Sequence, residues 1–186
     1  CGKSLWCETI GAAFKPYSTA IPSSEFGGDY QSWMENTLFC QIQEVEPQHI
    51  QRYGERLKSL ITDRHQQMNE KYRPKRLITS YTQYVLTSNK RAIGSYSHDD
   101  RRMFVINCPD PKLNKLDWAT YETLGENKGK WFHAGGPQWL LNYLLTVDLG
   151  DWKPPARAPV TAEKALAHSE GLTMVQMIAE EMRASG

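Results

Sequence analysis

Two short β-forming runs with an amphipathic helix between them most constrain what this chain can fold into. Residues 37–42 are rich in apolar and β-forming side chains and lead into Gln43 and Glu44. Residues 48–61 place apolar side chains about three to four positions apart, which predicts a helix with one buried face. Residues 84–89 form the second run and end in Thr-Ser-Asn. Each predicted strand therefore ends in polar side chains, which suits either a functional site or an ordinary polar turn.

The segments around this unit follow similar patterns. Residues 15–36 contain prolines and paired glycines and are expected to be irregular, with a short helix near residues 30–35. Residues 66–80 predict a β-hairpin with a basic tip, and residues 103–106 predict a third strand directly after two arginines. The later sequence predicts a loop at 125–136 and a linker at 150–159. It also predicts four helices: one at 112–124, an apolar core helix at 139–145, a polar helix from 161, and one at 172–182.

Positive charge is concentrated in the middle of the chain. Residues 52–103 hold 12 Lys or Arg and five Asp or Glu, although the whole chain has a net charge of +1. The remaining residues are therefore net negative. A basic segment of this size suits a polyanionic partner such as a nucleic acid or a nucleotide, whereas a solvated surface of mixed charge would explain the same composition.

Composition and spacing exclude several classes of protein. With 186 residues, 40% hydrophobic and 11% aromatic, the chain has about one domain's worth of residues and enough apolar side chains for a core. Its longest uncharged apolar stretch, residues 139–147, is about half the length of a membrane span. The four cysteines form no CxxC pair and the five histidines have no ligand spacing, so we expect no zinc site and a reducing, cytoplasmic setting.

The chain begins with Cys-Gly-Lys-Ser rather than Met, and we expect it to be cut from a longer protein. Gly2, Lys3 and Ser4 match the closing triplet of the phosphate-binding loop GxxxxGK[ST]. Residues 5–10 can continue as a helix, which would put the triplet at a helix N-terminus, where backbone N–H groups favour phosphate. Lys3 would then reach the β- and γ-phosphates, and the Ser4 hydroxyl would ligate Mg²⁺. A match of three residues also arises by chance, so the rest of the chain has to support it.

The order of the remaining motifs resembles that of a known family. A strand followed by an acid, a helix with Leu57-Lys58, a lysine-bearing hairpin, a strand followed by Asn89, and Asp-Arg-Arg before a strand occur in this order. This order is similar to superfamily 3 helicases of viruses, phages and mobile elements, and more closely to the helicase domain on the C-terminal side of phage-type primase–polymerases. The strings RLKSLITD, MNEK, YVLTSNK and DDRRMFVI carry the resemblance, and the later LLNYLL resembles that family's C-terminal extension.

The resemblance implies roles for the residues of a nucleotide site. The nucleotide-binding residues would be Gly2, Lys3 and Ser4. Ser4 and Glu44 would hold Mg²⁺, and Glu44 would also polarise the water that attacks the γ-phosphate of ATP. Asn89 would sense that phosphate, although an Asn at this position could simply cap its strand. Gln43 stands where the family usually has an acid, and an uncharged amide is a poorer metal partner.

The resemblance also implies two groups of basic residues. Arg101 and Arg102 match the arginine finger, a planar cation that one subunit places on the γ-phosphate of its neighbour. Either arginine could act, and one could instead pair with Asp99 or Asp100. The hairpin would point into a ring channel and follow the phosphates of single-stranded DNA with little base readout. Its DNA-binding residues would be Lys71, Arg73, Lys75 and Arg76.

The implied fold is an α/β P-loop NTPase of AAA+ type that lacks its first strand and continues into a helical C-terminal extension. Residues 1–108 would form the ATPase core, 109–150 its helical remainder, and 151–186 a linker with the extension. The parent protein would be a DNA helicase or translocase of a phage or mobile element, with a primase or polymerase domain in the same chain. It would hydrolyse ATP with Mg²⁺ at the subunit interfaces of a homo-oligomeric ring, expected to be a hexamer. It would move single-stranded DNA in the bacterial cytoplasm, without a membrane partner.

Two alternatives stay open. The chain could belong to a DNA-binding ring that has lost hydrolysis, for which Gln43 is the hint in the sequence. It could also be an unrelated P-loop enzyme such as a small-molecule kinase, which would need no arginine from a neighbour. Whether the 186-residue chain hydrolyses ATP on its own is likewise open.

Overall fold

The computed structural model describes residues 3–90, 100–108, 126–127, 129–171 and 181–183. The helices are α1 (Lys3–Ala13), α2 (Ser23–Phe26), α3 (Pro47–Thr62), α4 (Gly136–Thr146) and α5 (Ala162–Gly171), with a 3₁₀ helix at Ser32–Met34. The strands are β1 (Ser18–Pro22), β2 (Phe39–Gln43), β3 (His65–Met68), β4 (Arg76–Thr79) and β5 (Gln83–Leu86). In this part of the chain the architecture is therefore mixed α/β.

A three-stranded parallel sheet in the order β1-β2-β5 forms the centre of the fold. Ser18 lies opposite Phe39 on one side of β2, and Phe39 lies opposite Gln83 on the other side. The first four residues of β2 are buried, as expected for a strand with neighbours at both edges and cover on both faces. Because the strands are parallel, the polar ends of β2 and β5 meet at one edge of the sheet.

The two faces of the sheet are covered by different helices. Cys40 and Ile42 point to the face where α3 packs, and they join Ile50, Leu57 and Leu60 in one buried cluster. Phe39, which alternates with them along β2, stacks with Phe14 just beyond the end of α1, with the ring centroids 6.4 Å apart. The sheet is thus enclosed between α1 and α3, which fixes where both helices begin relative to the polar edge.

The start of α3 is fixed by a hydrogen bond between the residue that precedes the helix and a side chain in its first turn. Glu46 precedes the helix, and its backbone N–H donates to Nδ1 of His49 at 3.1 Å. Pro47 occupies the first turn, where a missing N–H costs no helical hydrogen bond. This cap keeps α3 from extending back into the turn after β2, so that the turn stays open at the polar edge of the sheet.

Five predicted elements in the first half of the chain are confirmed. The first strand run corresponds to β2, the amphipathic helix to α3, and the second run to β5, which ends at Leu86 rather than at residue 89. The predicted hairpin is the antiparallel pair of β3 and β4, with His65 opposite Thr79 and Met68 opposite Arg76. The short helix expected near residues 30–35 is present as the 3₁₀ helix.

The prediction that residues 15–36 are otherwise irregular is wrong, because β1 lies within them. β1 pairs with β2 along one side only and has Pro22 as its last residue. A proline is tolerated at the end of a strand on the edge of a sheet, since its missing N–H breaks no ladder there. The prolines that suggested a loop therefore mark the limits of an edge strand.

The prediction of a strand at residues 103–106 is also wrong, because this segment has neither helical nor strand structure. Its backbone bonds to the later chain instead of to the sheet. The Thr161 hydroxyl donates to the Val105 carbonyl oxygen at 2.8 Å, and the Ala158 N–H donates to the Arg101 carbonyl oxygen at 2.8 Å. A segment of β-forming residues becomes a strand only where a neighbouring strand supplies backbone hydrogen bonds. No strand among the described residues does so here.

The apolar helix predicted at residues 139–145 exists as α4, but its expected role in the core is wrong. Trp139 is 63% exposed and Leu145 is 75% exposed. Trp139 instead stacks on Tyr143 of the same helix, with parallel rings 5.7 Å apart. The predicted loop at 125–136 is also partly wrong, since residues 129–133 are helical.

Several predictions concern residues outside the described part of the chain. The helix at 112–124, Gly2, Asp99 and most of the helix at 172–182 fall there. The predicted polar helix from 161 is α5, and no helix or strand interrupts residues 150–159. The three predicted units, 1–108, 109–150 and 151–186, stay predictions. Among the described residues, no helix is both long and apolar enough to cross a membrane.

Candidate nucleotide site and basic hairpin

A polar cavity of about 170 Å³ lies where β2, β5 and α1 converge. Gln43 is the last residue of β2 and Glu44 directly follows it, while Asn89 lies three residues after the end of β5. The N-terminus of α1 supplies Lys3 and Ser4 from above the same sheet edge. The full lining is Lys3, Ser4, Gln41, Gln43, Glu44, Thr87, Ser88 and Asn89. The structure thus brings together four of the residues that the sequence assigned to nucleotide or metal binding.

Lys3 is tied to the end of β5 by two hydrogen bonds. Its ammonium group donates to the Ser88 carbonyl oxygen at 2.5 Å and to Oδ1 of Asn89 at 3.2 Å. Lys3 is the first residue that the structure describes, and the described part of α1 starts there. The N–H groups of the first turn of a helix have no partners within it, so they add donors to those of the lysine side chain.

Glu44 sits in a backbone conformation that few side chains adopt. Its φ angle is +53°, in the left-handed region that favours glycine and costs other residues about 1–2 kcal/mol. Two hydrogen bonds hold this turn: the Ser23 hydroxyl donates to the Glu44 carbonyl oxygen at 3.0 Å, and the Val45 N–H donates to the Thr87 carbonyl oxygen at 2.9 Å. The carboxylate of Glu44 is therefore displayed at the cavity by a turn fixed from both sides.

Sequence analysis missed one residue that lines the cavity, Gln41, and one that supports it from outside, Ser23. Gln41 is buried within β2, and its side-chain amide donates to the Thr87 hydroxyl at 3.4 Å on the neighbouring strand. Ser23 fixes the Glu44 turn from the start of α2. A buried amide in an otherwise apolar strand was a detectable signal for Gln41, since buried polar groups need partners. Ser23 had no such signal, because its partner is a carbonyl 21 positions away.

The donor set is compatible with Mg²⁺ only together with phosphate oxygens. Mg²⁺ is usually held in proteins by one or two carboxylates plus substrate phosphates and water. The cavity lining offers one carboxylate, Glu44, with the Ser4 hydroxyl beside it. In the described part of the chain, no cluster of three or more His, Cys, Asp or Glu could hold a metal ion without a ligand. The residues therefore fit a metal that arrives with a nucleotide.

The two adjacent arginines are held differently. Arg102 donates from Nε to the Thr62 hydroxyl at 3.0 Å, and its guanidinium lies 3.8 Å from the Asp100 carboxylate. The Arg102 N–H also donates to Asp100 at 2.8 Å. Arg101 is exposed, and its guanidinium makes no hydrogen bond or ion pair with any residue that the structure describes. The pairing expected for one arginine thus falls on Arg102, while neither lines the cavity of its own chain.

The cations of the hairpin also fall into two groups. Arg73 pairs with Glu70 at 3.1 Å, and Arg76 pairs with Glu35 at 2.5 Å. The hydrogen bond that Arg76 donates to the Glu35 carboxylate raises the pKa of Arg76 above its ordinary value. Lys71 lies over the ring of Tyr72, 5.1 Å from its centre, and Lys75 has no ionic partner within the described segments. Lys71 and Lys75 are therefore the cations at the tip that no carboxylate of the described residues neutralises.

Tyr72 is the most exposed aromatic residue at the hairpin tip. Its side chain is 92% exposed, and its φ angle of +64° is in the left-handed region. A tyrosine that only packed the turn would be partly covered. An exposed ring between two cations can instead stack on a planar ligand, as aromatic residues do in single-strand binding proteins.

Comparison with known proteins gives a family and a fold. A model of a family of unknown function (DUF5906) matches residues 1–102, just over half of the chain. The chain belongs to this family. The DUF5906 segment includes every strand of the sheet, the cavity, the hairpin and both arginines, and it ends at Arg102. No curated protein matches the chain significantly.

Among solved structures, the chain is similar to the apo C-terminal region of NrS-1. One such structure, of residues 305–718, has a TM-score of 0.78 at 20% identity, over 96% of this chain and 42% of that chain. A second, described as the A form, has a TM-score of 0.72 at 21% identity, over 96% and 41%. At this identity the likeness shows a shared fold, and this DUF5906 chain spans about two-fifths of the NrS-1 region.

Proposed function

We propose that this chain is the nucleotide-binding part of an ATP-dependent DNA helicase or translocase of the superfamily 3 type. One observation carries the proposal: Lys3, Ser4, Glu44 and Asn89 come from three separate elements and line a single cavity. The sequence resemblance implies a role for each of them on phosphate, metal or water. The fold shared with the NrS-1 C-terminal region is consistent with such a site but does not specify it.

The cavity binds the phosphate end of the nucleotide. A volume of about 170 Å³ is small for a whole ligand, whose pockets usually measure about 300–1,000 Å³. The sugar and base therefore lie outside it. Lys3 releases the Ser88 carbonyl oxygen and binds the β- and γ-phosphates, while the first N–H groups of α1 contribute the positive end of the helix dipole.

Hydrolysis depends on Glu44 and Asn89 on the γ-phosphate side of the cavity. Glu44 accepts a hydrogen bond from the attacking water, and Asn89 orients that water and contacts the γ-phosphate. Ser4 and Glu44 would hold Mg²⁺, which would supply positive charge to neutralise the phosphates. Because Asn89 also contacts Lys3, arrival or loss of the γ-phosphate changes the position of the strand end that carries Asn89.

A neighbouring subunit completes the site with an arginine. Catalysis of phosphoryl transfer needs a fixed cation where negative charge spreads over the γ-phosphate oxygens. Arg101 and Arg102 lie outside the cavity of their own chain, so they can serve only a cavity on another copy. This requirement supports a homo-oligomeric ring, for which we propose six subunits.

Single-stranded DNA binds at the hairpin tip. Lys71 and Lys75 contact backbone phosphates, and Tyr72 stacks on a base. Arg73 and Arg76 contribute less, because carboxylates already neutralise them. In the ring, loss of the γ-phosphate shifts these tips along the channel and moves the DNA during replication.

The decisive experiment measures ATP hydrolysis by the full-length protein with and without single-stranded DNA. Lys3→Ala is the test variant, and Lys15→Ala is the control, because it removes an exposed lysine near the other end of α1. We expect DNA-stimulated hydrolysis in the wild type and in Lys15→Ala, and a loss of about 100-fold or more in Lys3→Ala. Equal turnover in both variants would refute the nucleotide site.

A ring that binds DNA but has lost hydrolysis is the second candidate, and the single carboxylate of the cavity favours it. Gln43 adds an amide where a second acid would strengthen metal binding. If hydrolysis has been lost for this reason, Gln43→Asp should raise ATP turnover at saturating Mg²⁺. Unchanged turnover in Gln43→Asp, with DNA binding retained, would assign the loss to another part of the site.

A small-molecule kinase is distinguished by mixing subunits. Arg101→Ala/Arg102→Ala subunits keep an intact cavity, and Lys3→Ala subunits keep intact arginines. Restored hydrolysis in the mixture indicates a site shared between subunits, as a ring motor requires. A kinase that works within one chain would show no restoration and would keep its activity in the double arginine variant.

A further inference from the structure

A segment late in the chain is bonded to the strip that carries the two arginines. This strip, residues 100–105, has neither helical nor strand structure of its own. Three hydrogen bonds join it to residues 158–164. The Ala158 N–H donates to the Arg101 carbonyl oxygen, the Thr161 hydroxyl to the Val105 carbonyl oxygen, and the Lys164 ammonium to the Asp100 carbonyl oxygen. The backbone of the strip is thus bonded at both ends and in between.

Lys164 is the unusual member of this set, because its charged side chain is only 2% exposed. Burying an ammonium group is costly unless an acceptor replaces the lost water. Its acceptor is the carbonyl oxygen of Asp100, whose own side chain is only 6% exposed. Ala167, three positions along α5, is buried on the same face of the helix. An apolar residue would pack this face at a lower cost in free energy. We therefore infer that the ammonium group is needed for its bond to the strip.

Thr161 holds the start of α5 while it contacts the strip. Its hydroxyl accepts the Lys164 N–H at 3.1 Å, which caps the first turn of the helix. The same hydroxyl donates to the Val105 carbonyl oxygen at 2.8 Å. The cap therefore fixes the position of Lys164 relative to the strip, and both side chains act as one unit.

We propose that Lys164 and Thr161 are positioning residues that set where Arg101 is presented to a neighbouring subunit. Arg102 is already bound by Asp100 and Thr62, so it anchors the strip rather than extending from it. Arg101 has a fixed backbone and an exposed guanidinium that bonds to none of the described residues, which is the state needed to reach another chain. This inference rests on the proposed function and adds that the C-terminal segment controls the arginine supplied in trans.

The test uses four variants of the full-length protein. Lys164→Met keeps the length of the side chain but removes the charge, and Thr161→Val removes the hydroxyl. Thr161→Ser is the conservative variant that keeps the hydroxyl. Lys153→Met is the matched control, because Lys153 is exposed in the linker and outside this contact. Two readouts are needed: backbone hydrogen exchange in peptides covering 100–106 and 157–165, and ATP turnover.

Hydrogen exchange reports on the contact without requiring hydrolysis. We expect exchange in both peptides to rise at least about tenfold in Lys164→Met and Thr161→Val, and to stay near wild type in Thr161→Ser and Lys153→Met. ATP turnover at saturating substrate should fall about 10- to 100-fold in the first two variants with little change in KM, since the cavity is untouched. Thr161→Ser should retain most of the turnover.

Mixing subunits separates positioning from a general folding defect. Lys164→Met subunits mixed with Lys3→Ala subunits should regain turnover, because the Lys3→Ala chains supply a correctly placed Arg101. Unchanged hydrogen exchange in Lys164→Met would overturn the inference, as would raised exchange with normal turnover or a mixture without regain. If the wild type hydrolyses no ATP, the proposed function is wrong, and so is the claim that Lys164 and Thr161 affect turnover. In that case hydrogen exchange still decides whether the contact exists.

Discussion

β2 and α4 are both strongly apolar segments, yet the protein buries one and exposes the other. Cys40 and Ile42 of β2 are fully buried, whereas Trp139 and Leu145 of α4 are mostly exposed. β2 has a strand at each edge and a helix over each face, while α4 contacts α1 and leaves most of its surface open. Hydrophobicity therefore sets the capacity for burial, and the number of neighbouring elements decides whether burial occurs. The free energy of folding is concentrated around the sheet.

The largest expected contrast is in thiol reactivity, between buried β2 and an exposed segment outside the sheet. Burial in β2 raises the pKa of Cys40 to about 12, whereas Cys108 is exposed beyond the sheet. Relative to a thiol at the ordinary value of 9.0, a pKa of about 12 lowers the thiolate fraction at pH 8 about 1,000-fold. Iodoacetamide should therefore label Cys108 at least about 1,000-fold faster than Cys40, as measured by peptide mass spectrometry. Comparable rates would show that β2 is not the protected centre of the fold.

The same thiol gives a pH dependence with a defined sign. In the unfolded chain Cys40 loses its proton near pH 9, but in the folded chain only near pH 12. The unfolded state therefore holds fewer protons between these values, and the free energy of unfolding falls as the pH rises through this window. Urea unfolding of wild type and Cys40→Ala at pH 8 and 10 should show a smaller pH-dependent loss in the variant. A loss of equal size in both would assign the pH effect to other groups.

Core truncation is the next largest effect. Ile42→Ala should lower the free energy of unfolding by about 2–5 kcal/mol, because the removed atoms leave a cavity in a fully enclosed cluster. Leu145→Ala should change it by less than about 0.5 kcal/mol, since that side chain is mostly exposed. Urea unfolding followed by circular dichroism measures both. A large loss for Leu145→Ala would mean that another surface covers α4 in solution.

Replacing two glycines by alanine should change the free energy of unfolding by intermediate amounts, with opposite signs at the two positions. A Cβ at Gly27 would lie 2.0 Å from the ring of Tyr53, so Gly27→Ala must displace a ring packed in the core and should cost about 1–3 kcal/mol. A Cβ at Gly54 would only touch Ile50 at 3.8 Å, and Gly54→Ala should stabilise α3 by about 0.5–1 kcal/mol. Thermal unfolding of the two variants tests this. Destabilisation by Gly54→Ala would contradict the described path of α3.

The smallest effect contrasts the free and the paired cations of the hairpin. Lys75→Ala should weaken binding to a single-stranded oligonucleotide several-fold and reduce the salt dependence by about one ion. Arg76→Ala should do less, because Glu35 already neutralises that guanidinium. Fluorescence anisotropy at three salt concentrations measures both variants. A larger loss for Arg76→Ala would mean that DNA displaces Glu35.

Local patterns in the sequence were sufficient for elements whose neighbours lie nearby in the chain. The periodicity of residues 48–61 predicts α3, and the two polar-ended runs predict β2 and β5. The motif order also selected Lys3, Ser4, Glu44 and Asn89, which the structure brings to one cavity. Their catalytic roles and the ATP, Mg²⁺ and DNA partners stay predictions.

Pairing over long distances explains what the sequence missed. β1 is a strand because β2 lies beside it, although its own residues and flanking prolines suggested a loop. Residues 103–106 have a β-forming composition but bond to Thr161, 55 or more positions later, instead of to a strand. Lys164 looked like an ordinary solvated cation of a polar helix, and only its burial against Asp100 distinguishes it. In each case the structure of the segment depends on a contact with residues far away in the chain, which the pattern of neighbouring residues does not show.

The left-handed turn at Glu44 implies a compromise between stability and activity. Glycine would adopt a φ of +53° without the cost that a side chain incurs, so Glu44→Gly would relieve about 1 kcal/mol of backbone strain. The same change removes the one carboxylate among the described residues that line the cavity and, with it, the proposed hydrolysis. A more stable protein would thus be an inactive one. Under the proposed function, the acid at this position therefore combines a less stable turn with the capacity for turnover.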